Sequence, residues 1–405
     1  MDLRTYGTFL NEKAHQSIES RRRRRRARAS APIDLSTWMS NMPDAAPISS
    51  LTIPGTHDSA AYDVVWPFVA TQSLTLEEQL LSGIRYFDFR CGLVKDVLEM
   101  VHGRALLGRT LSSCLEILYA FLATHPSEAL IVQLKQDRAP ESSTIPFPTA
   151  VWSLLSPSSR HWRLDPTTPS LADLRSKIQL LRRFPGPPYH GIDVLRWQDN
   201  PDRPFTIKTW SGIELVVQDH YNPSEPTALP DFVERKAADV TGMLDLAARD
   251  PDLQRWYINF VSGYEFNLYF QASPHDVAVG GWWYYRWVEG VNRRVVEWLG
   301  ETKGRRTRTT RTRTRYGIVV MDYPQKPDGE LLGFLVGTNS EKRESKGVSA
   351  RAVLAMALVL LVIFVGGCLL VLIHGPAEGH YWCPPSLHAC ALRGPWGATR
   401  ETEAG

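Results

Sequence analysis

Three runs decide how the chain is read: SLTIPGTHDSAAYD at Ser50–Asp63, GIRYFDFR at Gly83–Arg90 and LEMVHG at Leu98–Gly103. In each, a short apolar run leads to a polar side chain: LTI ahead of His57, IRYFDF ahead of Arg90, LEMV ahead of His102. Short apolar runs that stop at a turn read as buried strands. In a β/α barrel, polar side chains at the C-terminal ends of strands gather at one mouth. His57, Arg90 and His102 are therefore expected to meet around one small anionic group. Two imidazoles and a guanidinium supply a base, an acid and a fixed cation near neutral pH, the set that phosphodiester cleavage requires.

The pattern continues outward. LTI, IRYFDF, LEMV, ALIVQL, KIQLL, IELVV, WYINF and GIVVM are strand candidates, and several end on a charged or polar residue. Helix patterns fall between them at Thr75–Gly83, Thr110–His125, Leu171–Ser176, Asp231–Arg249 and Tyr284–Leu299. Alternating strands and helices argue for an α/β fold, here a distorted TIM-type β/α barrel over residues 49–337. Among the 405 residues, 43% are hydrophobic and 22% charged, as in an ordinary globular protein, and a net charge of +3 gives no reason to expect a nucleic-acid partner. The five cysteines form no CxxC pair and no zinc spacing, and Cys91 reads as buried rather than reactive.

Several segments fall outside the barrel pattern. Residues 1–48 read as a disordered basic leader around the unbroken run Arg21–Arg26, with no apolar stretch of a secretory signal. Pro185–Pro204 reads as a long surface loop, and Thr302–Arg315 as a basic Arg/Thr insertion. The Arg21–Arg26 run suits a nuclear signal, anionic lipid head groups or plain solvation, and the Arg/Thr insertion an anionic membrane or an insertion without a role. The aromatic cluster Trp282, Trp283, Tyr284, Tyr285 and Trp287 suits either barrel packing or a rim dipping into lipid. After a linker at 338–351, the uncharged run 352–373 would make about 33 Å of helix, enough to span a bilayer. Lys342, Arg343, Lys346 and Arg351 precede it, so a single-pass topology with the barrel in the cytosol is expected. The tail 374–405 would then lie on the far side, where Cys383 and Cys390 could pair.

The IPGTHDS turn, the FDFR run and the HG pair together resemble the X region of phosphatidylinositol-specific phospholipase C, in its metal-independent, bacterial-type form. The resemblance implies that the inositol 2-hydroxyl attacks phosphorus, that diacylglycerol leaves and that a cyclic inositol phosphate forms. Carried onto this chain, it makes His57 the general base oriented by Asp322, and His102 the general acid supported by Asp58. Arg90 takes the place of a metal ion on the phosphate, with Asp88 supporting it from behind, and no cofactor is implied. Lys135 in QLKQD, Arg183 in KIQLLRRF (Arg182 being the adjacent alternative), and Asp219 and Tyr221 in VVQDHY resemble the family's inositol-binding residues. The expected partner is a phosphatidylinositol-type lipid. Alternatives are a glycosylphosphatidylinositol, another phosphodiester lipid, or an inactive, membrane-tethered lipid-binding barrel.

Overall fold

The computed structural model of the chain describes residues 33–306 and 314–340. Its main sheet contains β1 (Ile53–Thr56), β2 (Tyr86–Val94), β3 (Val97–His102), β4 (Ala105–Thr110), β5 (Leu130–Gln136), β6 (Trp162–Arg163), β7 (Ile178–Arg183), β8 (Ile192–Asp193), β9 (Phe205–Lys208), β10 (Glu214–Gln218), β11 (Trp256–Phe260) and, after four short hairpin strands, β16 (Ile318–Met321). The hairpins β12 (Glu265–Phe266) with β13 (Gln271–Ala272), and β14 (Gly280–Trp283) with β15 (Arg286–Glu289), lie in the loop that follows β11. Strands β7, β5, β2, β1, β16, β11 and β10 run side by side in parallel. At one end β9 pairs antiparallel to β10; at the other, β6 and β8 pair with β7. Among the described residues no ladder joins β9 to β6 or β8, so the sheet is curled but open. Phe205 and Ile207 from one end and Ile192 and Val194 from the other share one apolar interior, and side chains bridge the gap.

The α-helices are α1 (Leu76–Leu81), α2 (Leu111–Thr124), α3 (Phe147–Leu155), α4 (Leu171–Leu174), α5 (Leu229–Arg249), α6 (Pro274–Ala278), α7 (Val291–Arg306) and α8 (Glu330–Ser340), with 3₁₀ helices at Leu35–Asn41, Ile48–Ser50 and Ser156–His161. Thr75, Thr110, Ser170 and Ser273 start α1, α2, α4 and α6 with reciprocal capping boxes, which satisfy orphan N–H groups at each helix start.

Strand alternation sorts the side chains into two cores and positions the site. On β2, Phe87, Phe89 and Cys91 join the outer core beneath the helices, while Tyr86 joins the interior. Asp88 and Arg90 share the parity of Tyr86. Ile131 on β5, Leu181 on β7, Leu215 and Val217 on β10, and Ile318 and Val320 on β16 are likewise interior. Extending each row gives Lys135, Arg183, Asp219 and Asp322 as inward positions near the C-terminal end, the mouth of the barrel.

The structure departs from the sequence expectations at definite places. LEMV is not a barrel strand: β2 runs past the barrel, turns at Lys95 and Asp96, both with positive φ, and β3 returns antiparallel, Cys91 opposite Met100. Two successive left-handed residues are the signature of a tight hairpin turn. The helix expected from Tyr284 begins only at Val291; Gly280–Glu289 is a hairpin, turning at Tyr284 with φ 53°. The segment 33–48, placed in the basic leader, is ordered here: Trp38, Met39 and Met42 are buried in the interior core. They seal the bottom of the barrel, with Trp38 Nε1 donating to the Gly83 carbonyl just ahead of β2. Arg315, placed in the Arg/Thr insertion, is buried and donates to carbonyls of Ala247, Asp250, Asp252 and Arg255 at the C-terminal end of α5. The run 352–373, Cys383 and Cys390 lie outside the described residues, among which no helix is long and apolar enough to cross a membrane.

Candidate active site

The first βα loop holds the histidine at the centre of the site. His57 follows β1, and its N–H donates to the Met321 carbonyl at the end of β16 over 3.0 Å. Its own carbonyl accepts from Thr71 Oγ1 at 3.1 Å and Gln72 Nε2 at 2.8 Å. Asp58 then adopts φ 41°, a left-handed conformation that Asp tolerates better than most residues. The His57 Nδ1 lies 2.8 Å from Asp322 Oδ1. His57 is held well below the ordinary histidine range, first by burial and then by the charges of Arg90 and His102. A neutral ring whose Nδ1–H is committed to Asp322 keeps Nε2 as the proton acceptor.

His102 is fixed in the same way. Its Nδ1 lies 2.8 Å from the Val69 carbonyl, which only a donor can satisfy, so the second proton of a charged ring sits on Nε2. The two rings lie edge to face, 6.3 Å between centroids. Asp58 Oδ2 lies between them, 3.3 Å from His57 Nε2 and 3.5 Å from His102 Nε2. Burial raises the Asp58 carboxyl to about 6, against the pull of Arg90 and His102. Arg90 Nε lies 3.2 Å from both Asp58 Oδ1 and Asp88 Oδ2, and Gln133 Nε2 holds the other Asp88 oxygen at 2.8 Å. Burial opposes the Arg90 charge, but Asp58 and Asp88 more than restore it. Both carboxylates occupy the Nε edge. No hydrogen bond from the described residues takes the two terminal nitrogens, the fork suited to phosphate oxygens.

The second half of the site grows from sheet register. Arg90 lies beside Lys135 and Lys135 beside Arg183 on adjacent strands. Three adjacent cations repel one another, which favours a row of this kind where an anion or carboxylates balance it. Asp219 faces them from β10, accepting Trp197 Nε1 at 2.8 Å, and the Arg183 guanidinium stacks 4.6 Å over the Trp197 ring. Tyr221 stands at the rim, parallel to Tyr264 at 6.0 Å and donating to Asp199 at 3.0 Å. The adjacent Arg182 has outward parity and is wholly buried among the Phe184 and His190 carbonyls and Asp193. All of the expected site residues thus reach one mouth, Tyr221 at its edge.

Sequence reading missed three contributors. Asp137 accepts Lys135 Nζ at 2.5 Å and the Gly103 N–H at 3.0 Å, tying the headgroup row to the turn after His102. It was legible as the next inward position after Lys135 in QLKQD. Trp197 lies in the Pro/Asp-rich loop and carried no signal. Lys236 lies on α5, outside any strand-end pattern. Among the described residues, no group of three or more His, Cys, Asp or Glu has metal-binding geometry.

Residues 47–184 match the family described as phosphatidylinositol-specific phospholipase C, X domain. The chain is 32% identical over 216 residues to the 1-phosphatidylinositol phosphodiesterase of Listeria monocytogenes, covering 49% of this chain and 62% of that protein, just under two thirds. To the 1-phosphatidylinositol phosphodiesterase of Staphylococcus aureus it is 27% identical over 258 residues, covering 59% and 80%. A solved structure of the F249X mutant of the Staphylococcus aureus phospholipase C shares the fold with TM-score 0.63 at 20% identity, covering 76% of this chain and 99% of that one. The Listeria monocytogenes phospholipase C structure does so with TM-score 0.54 at 23% identity, covering 76% and 99%.

Proposed function

We propose that the chain cleaves phosphatidylinositol-type lipids by intramolecular attack, without a metal ion. The observation that carries this is the pair of imidazoles, each with Nδ1 fixed on an oxygen and Nε2 turned toward Asp58, beside the Arg90 fork. His57 takes the proton of the inositol 2-hydroxyl as its oxygen bonds to phosphorus. The bond from phosphorus to the glycerol oxygen breaks, and His102 protonates that oxygen as diacylglycerol leaves. Arg90 holds the negative charge that builds on the phosphoryl oxygens, where preorganised charge contributes most. Lys135, Arg183, Asp219 and Tyr221 bind the inositol ring.

A lipid substrate is supported by the rim. Val65 and Trp66 in the loop after β1, and Phe266, Leu268, Tyr269, Trp282, Tyr284 and Tyr285 in the loop after β11, are exposed at the mouth end. Phe68 packs edge-on against Phe266 at 4.8 Å, joining the two loops. Exposed aromatic patches of this kind mark membrane or protein contact, and Trp and Tyr favour the lipid interface. The packing alternative for the aromatic cluster holds only for Trp283, which rests on the core. In this reading the barrel works on a cytosolic leaflet.

The test is head-group preference. The full chain is given vesicles of phosphatidylinositol, of a glycosylated phosphatidylinositol and of phosphatidylcholine. Cyclic inositol phosphate from the first, and no phosphocholine from the third, is the expected outcome. Preference for the glycosylated lipid moves the substrate within the class, and phosphocholine release contradicts the mechanism, since choline offers no internal nucleophile.

A further inference from the structure

Helix α5 carries a wholly buried lysine, Lys236, on the side that packs against the ends of β10 and β11. Packing alone would be served by methionine, and a buried ammonium is costly unless it is paired and hydrogen-bonded. Its Nζ donates to the His220 carbonyl at 2.7 Å and to Gln218 Oε1 at 3.2 Å. These two contacts bracket Asp219. Gln218 is itself locked: Oε1 also accepts the His220 N–H at 2.8 Å, and Nε2 donates to Asn259 Oδ1 and the Phe260 carbonyl.

Three carboxylates act on the ammonium: Asp219 from the end of β10, Asp239 on its own helix, and Asp322 from the end of β16. Asp239 is already paired with His220 Nδ1 at 3.0 Å. The other two belong to opposite halves of the site, Asp219 to the headgroup side and Asp322 behind His57. Burial holds both above the ordinary carboxylate range, Asp322 well above it with Asp58 adding to the effect; Arg183 and Arg90 for Asp219, Arg90 for Asp322, and Lys236 for both, pull the other way.

We propose that Lys236 is a positioning residue shared by the two halves of the site: its hydrogen bonds anchor the strand end that presents Asp219, and its buried charge opposes protonation of Asp219 and Asp322. The inference rests on the reaction proposed above. A protonated Asp322 would donate to His57 Nδ1, leaving the ring proton on Nε2 and blocking the base. Burial brings the ammonium down to about 8, so it still carries its charge at neutral pH.

The test uses the full chain, as wild type, Lys236→Met and Lys236→Gln. Methionine removes the charge and the donors; glutamine removes the charge and keeps an N–H. The readouts are kcat/KM on phosphatidylinositol against pH, and amide hydrogen exchange at residues 218–221. In both variants the acid limb is expected to move up by about one pH unit, with a loss of about tenfold or more near pH 6. Exchange at 218–221 is expected to accelerate with methionine. An unmoved acid limb in both variants, whatever the overall activity, overturns the proposal. Where the methionine variant does not fold, the glutamine variant decides by the same limb. A wild type inactive on inositol lipids sinks the reaction instead, and unchanged exchange at 218–221 in a folded methionine variant then overturns the anchor by itself.

Discussion

The His57 Nδ1 and Asp322 Oδ1 lie 2.8 Å apart although 265 residues separate them in sequence. Parallel pairing of β1 with β16 brings them together: Thr56 is in register with Met321, and each partner is the next residue along. Asn292 Nδ2 fixes the turn beyond by donating to the Asp322 and Tyr323 carbonyls. Asp322→Asn keeps the shape but offers an N–H where Nδ1 needs an acceptor, forcing the ring proton to Nε2. Steady-state kinetics should show kcat down by roughly 100-fold or more, with KM little changed.

Asp58 gives the site a pH signature. Burial, the main cause, pushes its carboxyl in the folded protein up to about 6 from the 3.8 of a free aspartate. Activity should therefore fall as pH falls through about 6, a limb shared with the other buried carboxylates of the site. The sign for stability is opposite. With the folded pKa raised, the native state binds more protons between 3.8 and about 6, so stability from this group is lost as pH rises through that window. Asp58→Asn should raise the melting temperature at pH 7 and cut activity there; calorimetry and kinetics on one preparation check both.

The rim predicts a separation of binding from chemistry. Trp66 and Tyr285, 72% and 93% exposed, belong to neither core. Trp66→Ala with Tyr285→Ala should weaken binding to phosphatidylinositol vesicles by about tenfold while leaving cleavage of a monomeric, water-soluble substrate unchanged. Equal loss on both substrates would place these residues in the chemistry rather than at the interface.

At the opposite end of the barrel, Arg85 and Glu128 form a wholly buried ion pair at 2.8 Å. Arg85 also donates to the Leu80, Ile84 and Ser36 carbonyls, and Glu128 accepts the Met39 N–H, tying the N-terminal segment to the barrel bottom. Glu128→Gln strands a buried charge and should cost about 3–5 kcal/mol in denaturant unfolding. Activity per folded molecule should stay as in the wild type.

What the sequence made legible was whatever repeats with the strands. His57, Arg90, Lys135, Arg183, Asp219 and Asp322 each stand at the end of an apolar run, so counting by twos from the core finds them. His102 was found for a wrong structural reason: it ends a hairpin arm that returns from β2, not a barrel strand, because the Lys95–Asp96 turn was not recognised. Trp38 and Met39 were unreadable because the short 3₁₀ stretch Leu35–Asn41, kinked at Thr37, has no periodicity to betray it. Trp197 and Lys236 act through tertiary contacts made far from their own neighbours, which local pattern does not carry.

The central claim is that two imidazoles and a guanidinium perform the cleavage without a metal ion. The most direct measurement is release of cyclic inositol phosphate from phosphatidylinositol vesicles by the full chain in excess chelator, beside His57→Ala and His102→Ala. The account predicts undiminished release by the wild type and a loss of at least about 100-fold in each variant. Release that requires added calcium, or that survives in either variant, would contradict it.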